Sequence, residues 1–491
     1  MHALSLRLPR CATLTLGAAL CASALLLAGC ADMGNIAPHA QPVAPQTLKL
    51  GSAIEGQLST AADGANAAWP TEAWWEALHD SQLNRLVAAA IADSPSLRSA
   101  EARVRQAEAL AGVARAATLP RVDASASIDR ELYTANGAIP AALAGKYAWK
   151  NTASLSGSYD LDLWGRNHAA LAAAIDEIRV ASAEAQMARL TLETAVVRAY
   201  IQLSLDYALQ DSVAENLVQR QRILEITRQR RAAGLASELE VANIETTLPA
   251  GQREHEQIGA AIAVLRNQLA ALIGKGPGDG ESIARPMLTL EAGTAARLPA
   301  TLPVELLGRR PDIVARRWRA QAAGARVDSA RADFYPNVNL AAFAGLQSLG
   351  FSRFFDSHSK MLGVTPAISL PVFEGGRLRS ALGNQSALYD VAVEQYNGAV
   401  IEAMHEVADA VVGMTSVAQQ EQVAQRALTS ARRQQQLAES AYRAGMTDAL
   451  NVINAQLTLL NEQQQMAQVA SKQLDHYALL MAALGGGTKL D

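Results

Sequence analysis

RNHAALAAAIDEIRVASAEAQMARLTLETAVVRAYIQLSLDYALQDSVAENLVQRQRILEITRQRR, residues 166–231, runs for 66 positions without a proline or a glycine. As a single α-helix rising 1.5 Å per residue it would extend about 100 Å. Val213, Leu217 and Leu224 illustrate an apolar stripe at coiled-coil spacing. A helix this long is stable only when packed side by side with others. Gly234 interrupts it, and the chain returns along Glu238 to Ile273, which makes a helical hairpin with its tip at about 232–236.

The same hairpin occurs twice. With Gly165-Arg166 set on Gly376-Arg377, an offset of 211, Ala233-Gly234 falls on Ala444-Gly445. Leu239 falls on Leu450, Val241 on Val452, Asn243 on Asn454 and Thr247-Leu248 on Thr458-Leu459. Upstream the offset is 216: Ser94-Pro95 falls on Arg310-Pro311, Ala114-Arg115-Ala116 on Ala330-Arg331-Ala332 and Pro120 on Pro336. Shared alanine content would not keep glycines, prolines and asparagines in fixed register, so the chain is a duplication. The offset changes only between Val122 and Gly165, which places the five-residue length difference in a loop.

Each half begins with a helix, from Gln82 to Leu119 and from Val304 to Tyr335, stopped by Pro120 and Pro336. Alternating stretches follow, at about 121–133 and 148–162 in the first half and about 337–347 and 362–373 in the second. Period-two alternation of this length fits barrel strands with one face to lipid and one to a wet interior. Four strands cannot close a barrel alone, and open edges are not tolerated in lipid. Several protomers must pool them. The second long helix, Arg377 to Arg443, turns at about 444–448 and returns from Asp448 to Leu484.

The first 29 residues read as a signal peptide, with Arg7 and Arg10 ahead of the apolar run Leu14–Leu27. Leu27-Ala28-Gly29-Cys30 resembles a bacterial lipobox, in which Cys30 is lipidated and becomes the first mature residue. The alternative is an ordinary signal peptide with a chance cysteine. Of three cysteines, Cys11 and Cys21 leave with the signal, so neither a disulfide framework nor a CxxC pair is available. Ala31 follows the cysteine, and by family analogy an aspartate there would favour inner-membrane retention; outer-membrane sorting is expected. The division is therefore 1–29 signal peptide, 30–75 lipidated leader, 76–280 first repeat, 281–303 linker, 304–485 second repeat and 486–491 tail.

Charged residues make up 18% of the chain, aromatics 4%, and the net charge is −4. Nothing in this calls for a nucleic-acid partner. The eight histidines are scattered, without ligand spacing. Gly274-Lys275-Gly276-Pro277-Gly278-Asp279-Gly280 is glycine-rich but follows a helix and lacks P-loop spacing, so it reads as linker. No enzyme, cofactor or metal is expected. Trp69, Trp74 and Trp75 are expected to pack the leader against the outside of the helical tunnel rather than to form a stacking platform.

With these elements in place the chain resembles the outer membrane factor (TolC-like) family of efflux and type I secretion ducts, and within it the NodT-type lipoprotein branch. The residues carrying the likeness are Leu306-Leu307-Gly308-Arg309-Arg310-Pro311-Asp312-Ile313, Phe334-Tyr335-Pro336, Asp162-Leu163-Trp164-Gly165-Arg166, Pro371-Val372-Phe373-Glu374-Gly375-Gly376-Arg377 and Leu484-Gly485-Gly486-Gly487. The resemblance implies a mainly α, internally duplicated channel-tunnel protomer. As a homotrimer it would close a 12-stranded β-barrel in outer-membrane lipid and a periplasmic α-helical barrel. It also implies a periplasmic adaptor (membrane fusion) protein and an inner-membrane transporter as partners, with small molecules exported by passive conduction. A type I protein secretion duct and a non-conducting periplasm-spanning lipoprotein scaffold are the alternatives.

In the same family the tips carry an adaptor-contacting turn, which falls on Gly234, Leu235, Gly445 and Met446. The periplasmic aperture falls on Leu450 and Asn454 with their repeat partners Leu239 and Asn243. Relatives often have aspartate at the second position, so asparagine here puts an acidic cation-binding ring in doubt. Leu450 and Asn454, four apart, share a helix face. Tyr442 and Arg231, equivalent positions just before the two tips, are expected to make bonds that hold the helices together in the closed state.

Overall fold

The computed structural model describes residues 33–44, 48–49, 69–290 and 308–488. The signal peptide, Cys30, much of the leader and linker, the start of the second repeat and the last three residues lie outside these. Among the described residues, apart from two short 3-10 turns, the elements in chain order are α1 (Ser81–Asp93), α2 (Pro95–Ala116), β1 (Arg121–Leu132), β2 (Tyr147–Asp160), α3 (Arg166–Ala232), α4 (Glu238–Leu272), the single turn α5 (Pro277–Gly280), α6 (Pro311–Ala332), β3 (Asn337–Leu349), β4 (Lys360–Ser369), α7 (Arg377–Arg443) and α8 (Ala449–Ala483). Among the described residues no helix is long and apolar enough to cross a membrane.

The chain divides into two compact units, and α3 and α7 run through both. The first contains all four strands, residues 105–180 and 316–395, and the leader as far as Pro42. Its sheet is a four-stranded antiparallel meander in the order β1-β2-β3-β4, so β1 and β4 are edges. Register sets the faces. Ser125 pairs with Ser154 and Ser154 with Gly345, while Ala124 pairs with Leu155, Leu155 with Ala344 and Ala344 with Leu362. Side chains alternate along a strand. One face therefore collects Val122, Ile128, Trp149, Leu155, Tyr159, Leu340, Val364 and Ile368. The other collects Asp123, Ser125, Ser127, Lys150, Thr152, Ser156, Asn339 and Thr365. β4 ends at Ser369, short of Phe373, just before Pro371.

Sharp junctions connect strands to helices in this unit. Trp164 stacks on Tyr335 with centroids 4.6 Å apart, and its Nε1 donates to the Pro336 carbonyl at 2.9 Å. Arg166 donates to Asp160 at 2.9 Å. Asp162, held at φ 43°, accepts from the backbone N–H groups of Asn167 and His168, capping the first turn of α3.

The second unit comprises residues 43–104, 181–315 and 396–491. The first helix expected in one piece from Gln82 to Leu119 is broken at Ser94. Pro95 follows and pushes Ser94 to an extended ψ of 126°, since the ring disfavours the helical region in the residue before it. Asp80 caps α1, accepting from the N–H groups of Gln82 and Leu83, the Tyr200 hydroxyl and the N–H of Met287. Burial would raise its pKa, but these four donors outweigh it and hold the carboxyl below its ordinary value. Trp74 and Trp75 are buried in the core with Tyr200, Leu269 and Tyr477. Trp69 lies under the Arg309 guanidinium. The three tryptophans thus pack the leader against helices of this unit.

The duplication shows in the packing. Gly274 after α4 is at φ 72°, and a Cβ on it would lie 2.5 Å from the Asp93 carbonyl oxygen. Its repeat partner Gly485 after α8, at φ 88°, faces the Arg309 carbonyl closer still. Each glycine lets the end of a returning helix meet the chain entering α2 or α6.

Candidate functional site: the hairpin tips and the helix faces beside them

Both tips have the same hydrogen-bond pattern. Leu235 N–H donates to the Arg230 carbonyl at 2.7 Å and Gly234 N–H to Arg231 at 2.9 Å. Met446 donates to Ala441 at 2.9 Å and Gly445 to Tyr442 at 3.0 Å. This is the Schellman ending, and it requires the left-handed residue that Gly234 (φ 75°) and Gly445 (φ 74°) supply. It also turns the next side chain outward, so Leu235 is 68% and Met446 76% exposed. Each chain then re-enters a helix through a cap. Ser237 and Glu240 form a capping box at α4, and Asp448 accepts from Asn451 N–H at α8.

The four aperture candidates lie on exposed faces. Leu239 and Asn243 project from α4, Leu450 and Asn454 from α8. The opposite faces are the core of this region, where Val241, Ile244, Val452 and Ile453 pack with Ile223 and Leu224. That packing orients the asparagine and leucine pairs away from their own hairpins, toward whatever lies outside the protomer.

Tyr442 and Arg231 have different environments. Tyr442 is fully buried, and its hydroxyl lies 3.0 Å from Thr227 Oγ1 on α3, so it joins the second hairpin to the first. Arg230 lies over the Tyr442 ring at 4.6 Å and donates to its backbone carbonyl at 3.0 Å. Arg231 instead pairs with Glu238 across its own turn at 2.7 Å, both side chains exposed. Thr227 and Arg230 therefore complete the inter-hairpin contact, and sequence reasoning missed them. Their only signal was an i, i+3 spacing facing the second hairpin, which one helix alone does not reveal. Among the described residues no group of side chains could hold a metal ion.

A profile of the outer membrane efflux protein family matches residues 86–275 and 302–486, both repeats. The chain belongs to the outer membrane efflux protein family. The fusaric acid resistance protein FusA of Burkholderia cepacia is 43% identical over 380 residues, covering 76% of this chain and 69% of that protein. The multidrug resistance outer membrane protein MdtP of Escherichia coli K12 is 31% identical over 474 residues, covering 95% of each. Among solved structures, the outer membrane protein VceC of Vibrio cholerae superposes with a TM-score of 0.81 at 35% identity, covering 85% of this chain and 100% of that one. This efflux family member is an outer-membrane channel protein with the mainly helical, duplicated fold of its relatives.

Proposed function

We propose that three copies of this efflux protein assemble into a single exit duct that conducts small molecules passively from a periplasmic adaptor and inner-membrane transporter to the exterior. The observation that carries the reading is the sheet, whose two edges are open and whose faces are sorted into apolar and polar. An unclosed four-stranded sheet leaves its edge N–H and C=O groups unpaired, which lipid does not tolerate, and shows an apolar face that is unfavourable in water. Pairing β4 of one copy with β1 of the next removes every edge at twelve strands, and points Ser125, Thr152 and Ser156 into a wet lumen. Trp149 and Tyr159 share the apolar face of β2, ten residues apart. That is about 33 Å along the strand, and a tilt of about 40° reduces it to the roughly 25 Å apolar band of such barrels.

The leader supports lipidation at Cys30. Met33 and Ile36 pack against the cluster of Val327 and Phe334 with Leu382 in the first turns of α7, and the N–H groups of His39 and Ala40 both donate to Asp390 at 2.8 Å. Cys30 is three residues from Met33, within about 10 Å along the chain. Acyl chains on it would therefore enter the leaflet at the helix end of the barrel strands. Leu235 and Met446 are the apolar anchors offered to the adaptor. Asn454 and Asn243, with Leu450 and Leu239, form the closed aperture by meeting their counterparts across the three-fold axis. The relatives named for fusaric acid and multidrug resistance favour small-molecule cargo over secreted protein.

The test is single-channel conductance of the purified full-length protein in planar bilayers, with its oligomeric and acyl mass measured in the same detergent. A stable acylated trimer with small, infrequent openings is expected, and replacing Asn454 and Asn243 with alanine should enlarge those openings without disturbing assembly. A monomer, or a trimer that never conducts, would point to a scaffold instead. Unchanged conductance in an intact alanine-substituted trimer would remove the asparagines from the gate.

A further inference from the structure

Register sorts charge as well as polarity. Among the described strands, only two residues on the apolar face are charged, Arg130 on β1 and Lys360 on β4. Both are cations, and both sit at the end of the sheet away from the long helices. Arg130 lies two residues before β1 ends, and Lys360 is the first residue of β4. The carboxylates of the strands, Asp123, Asp129, Glu131 and Asp160, all belong to the polar face. At the helix end the apolar face shows Val122, Tyr159, Val338 and Ile368 and no charge.

The side chains agree with the register. The Arg130 guanidinium lies 5.4 Å from the centroid of the Tyr147 ring and 5.6 Å from that of Trp149, both on the apolar face. Phe351, just past β3, packs on Trp149 with centroids 5.8 Å apart. An aromatic girdle of this kind marks the level at which a barrel passes from hydrocarbon to headgroups. Two residues along β2, on the same face, Asn151 is 2% exposed and neither polar atom of its amide has a partner. An orphaned buried amide on a largely apolar face calls for a polar group from outside the protein. In the β3–β4 loop the carboxylate of Asp356 is already paired with His358 at 2.9 Å.

Long basic side chains that merely reached for water would serve equally well at either end of the strands. Here they stand at one end only, and the leaflet at that end of an outer membrane is built from a phosphorylated glycolipid. We propose that Arg130 and Lys360 form a binding site for the phosphate groups of this glycolipid, one site at each junction between copies. Pairing β4 of one copy with β1 of the next puts Lys360 and Arg130 of the next copy on strands about 4.8 Å apart. The guanidinium offers a phosphate two parallel N–H groups and the ammonium a point charge. Tyr147 and Trp149 hold Arg130 against the sheet, and the Asn151 amide supplies a further polar group beside them. The placement at a junction rests on the proposed trimer, whereas the choice of leaflet rests on the faces of a single sheet.

Native mass spectrometry of the full-length protein, titrated with one lipid at a time, tests this. Bisphosphorylated lipid A should bind the trimer about tenfold more tightly than lipid A stripped of its phosphates, or than phosphatidylglycerol, because the preference is carried by paired charges. Replacing both Arg130 and Lys360 with glutamine should abolish the preference. Lys150→Gln removes a cation from the polar face, on the neighbouring strand opposite Asp129, and should leave the preference intact. If the double variant does not assemble, Lys360→Gln alone should still weaken lipid A binding about threefold to fivefold, since one of two charges remains. A trimer that binds all three lipids equally overturns the site and leaves the duct standing. A wild-type monomer removes the duct and the junction site together, and a loss caused by Lys150→Gln alone would mean that the two faces are exchanged.

Discussion

Gly485 shows how much can hang on one missing Cβ. Its φ of 88° is a region other residues avoid, and an added methyl carbon would collide with the Arg309 carbonyl. Gly274 repeats this against Asp93, so Gly485→Ala and Gly274→Ala should each cost about 3 kcal/mol or more through combined strain and clash. Gly383, inside α7 with nothing within 4 Å of its would-be Cβ, is the control. Gly383→Ala should instead stabilise by about 0.5–1 kcal/mol. Melting temperatures of the three purified variants decide this, and similar losses at all three sites would refute the packing argument. The glycines at the tips were legible in the sequence because their role is conformational and local, whereas Gly274 and Gly485 were not, because what each clears is a carbonyl distant in the sequence. Nor was the partner of Tyr442. Arg231 is its repeat equivalent, yet Arg230, one residue earlier, faces the second hairpin, and the rotation of two helices about each other is fixed by packing rather than by alignment.

Among the elements, the long helices announced themselves because neither proline nor glycine interrupts 166–231, whereas the first helix misled. Ser94-Pro95 lies in the middle of an otherwise helical pattern, and only the extended Ser94 shows that the chain breaks there and restarts. The opposite happened at Pro249, which lies inside α4 without ending it. The ties that bring α2 and α6 to the returning helices also differ between the halves. In the second, Arg310 is buried and bonds Asp312 at 2.8 Å, Glu406 at 2.5 Å and the Ala483 carbonyl at 3.2 Å, linking the start of α6 to α7 and α8. In the first, the exposed Lys275 pairs with Asp93 at 2.8 Å. Removing one partner of a buried pair costs about 3–5 kcal/mol. The half-exposed Glu406 is rehydrated when the arginine goes, so Arg310→Ala should fall at the low end, about 3 kcal/mol. Lys275→Ala should leave the melting temperature unchanged, since water screens that pair. A large loss from the lysine, or none from the arginine, would mean that the two junctions are held by something other than these ion pairs.

At the scale of the whole molecule, the fold class was readable because the chain says everything twice, which turns a weak strand signal into four matched segments. What the sequence could not supply was register, since sliding a strand by one residue exchanges its two faces. The register found here makes neighbouring positions on β2 opposites. Leu155, between Ala124 and Ala344, belongs to the apolar face, and Ser156, between Asp123 and Phe343, to the polar one. Both lie in the middle stretch of a strand 14 residues long. An arginine on the lipid side at the bilayer midplane costs about 2–4 kcal/mol, so Leu155→Arg should sharply reduce the amount of assembled trimer in outer-membrane fractions. Ser156→Arg would place the same group in the lumen, opposite Asp123, where water and a carboxylate accommodate it. That variant should assemble normally and shift the reversal potential of the open channel toward anion selectivity. The two substitutions differ by one position and not at all in chemistry, so contrasting outcomes depend on the faces alone. Equal tolerance, or equal failure, would mean that the sheet does not separate lipid from lumen, and the barrel built from three copies would go with it.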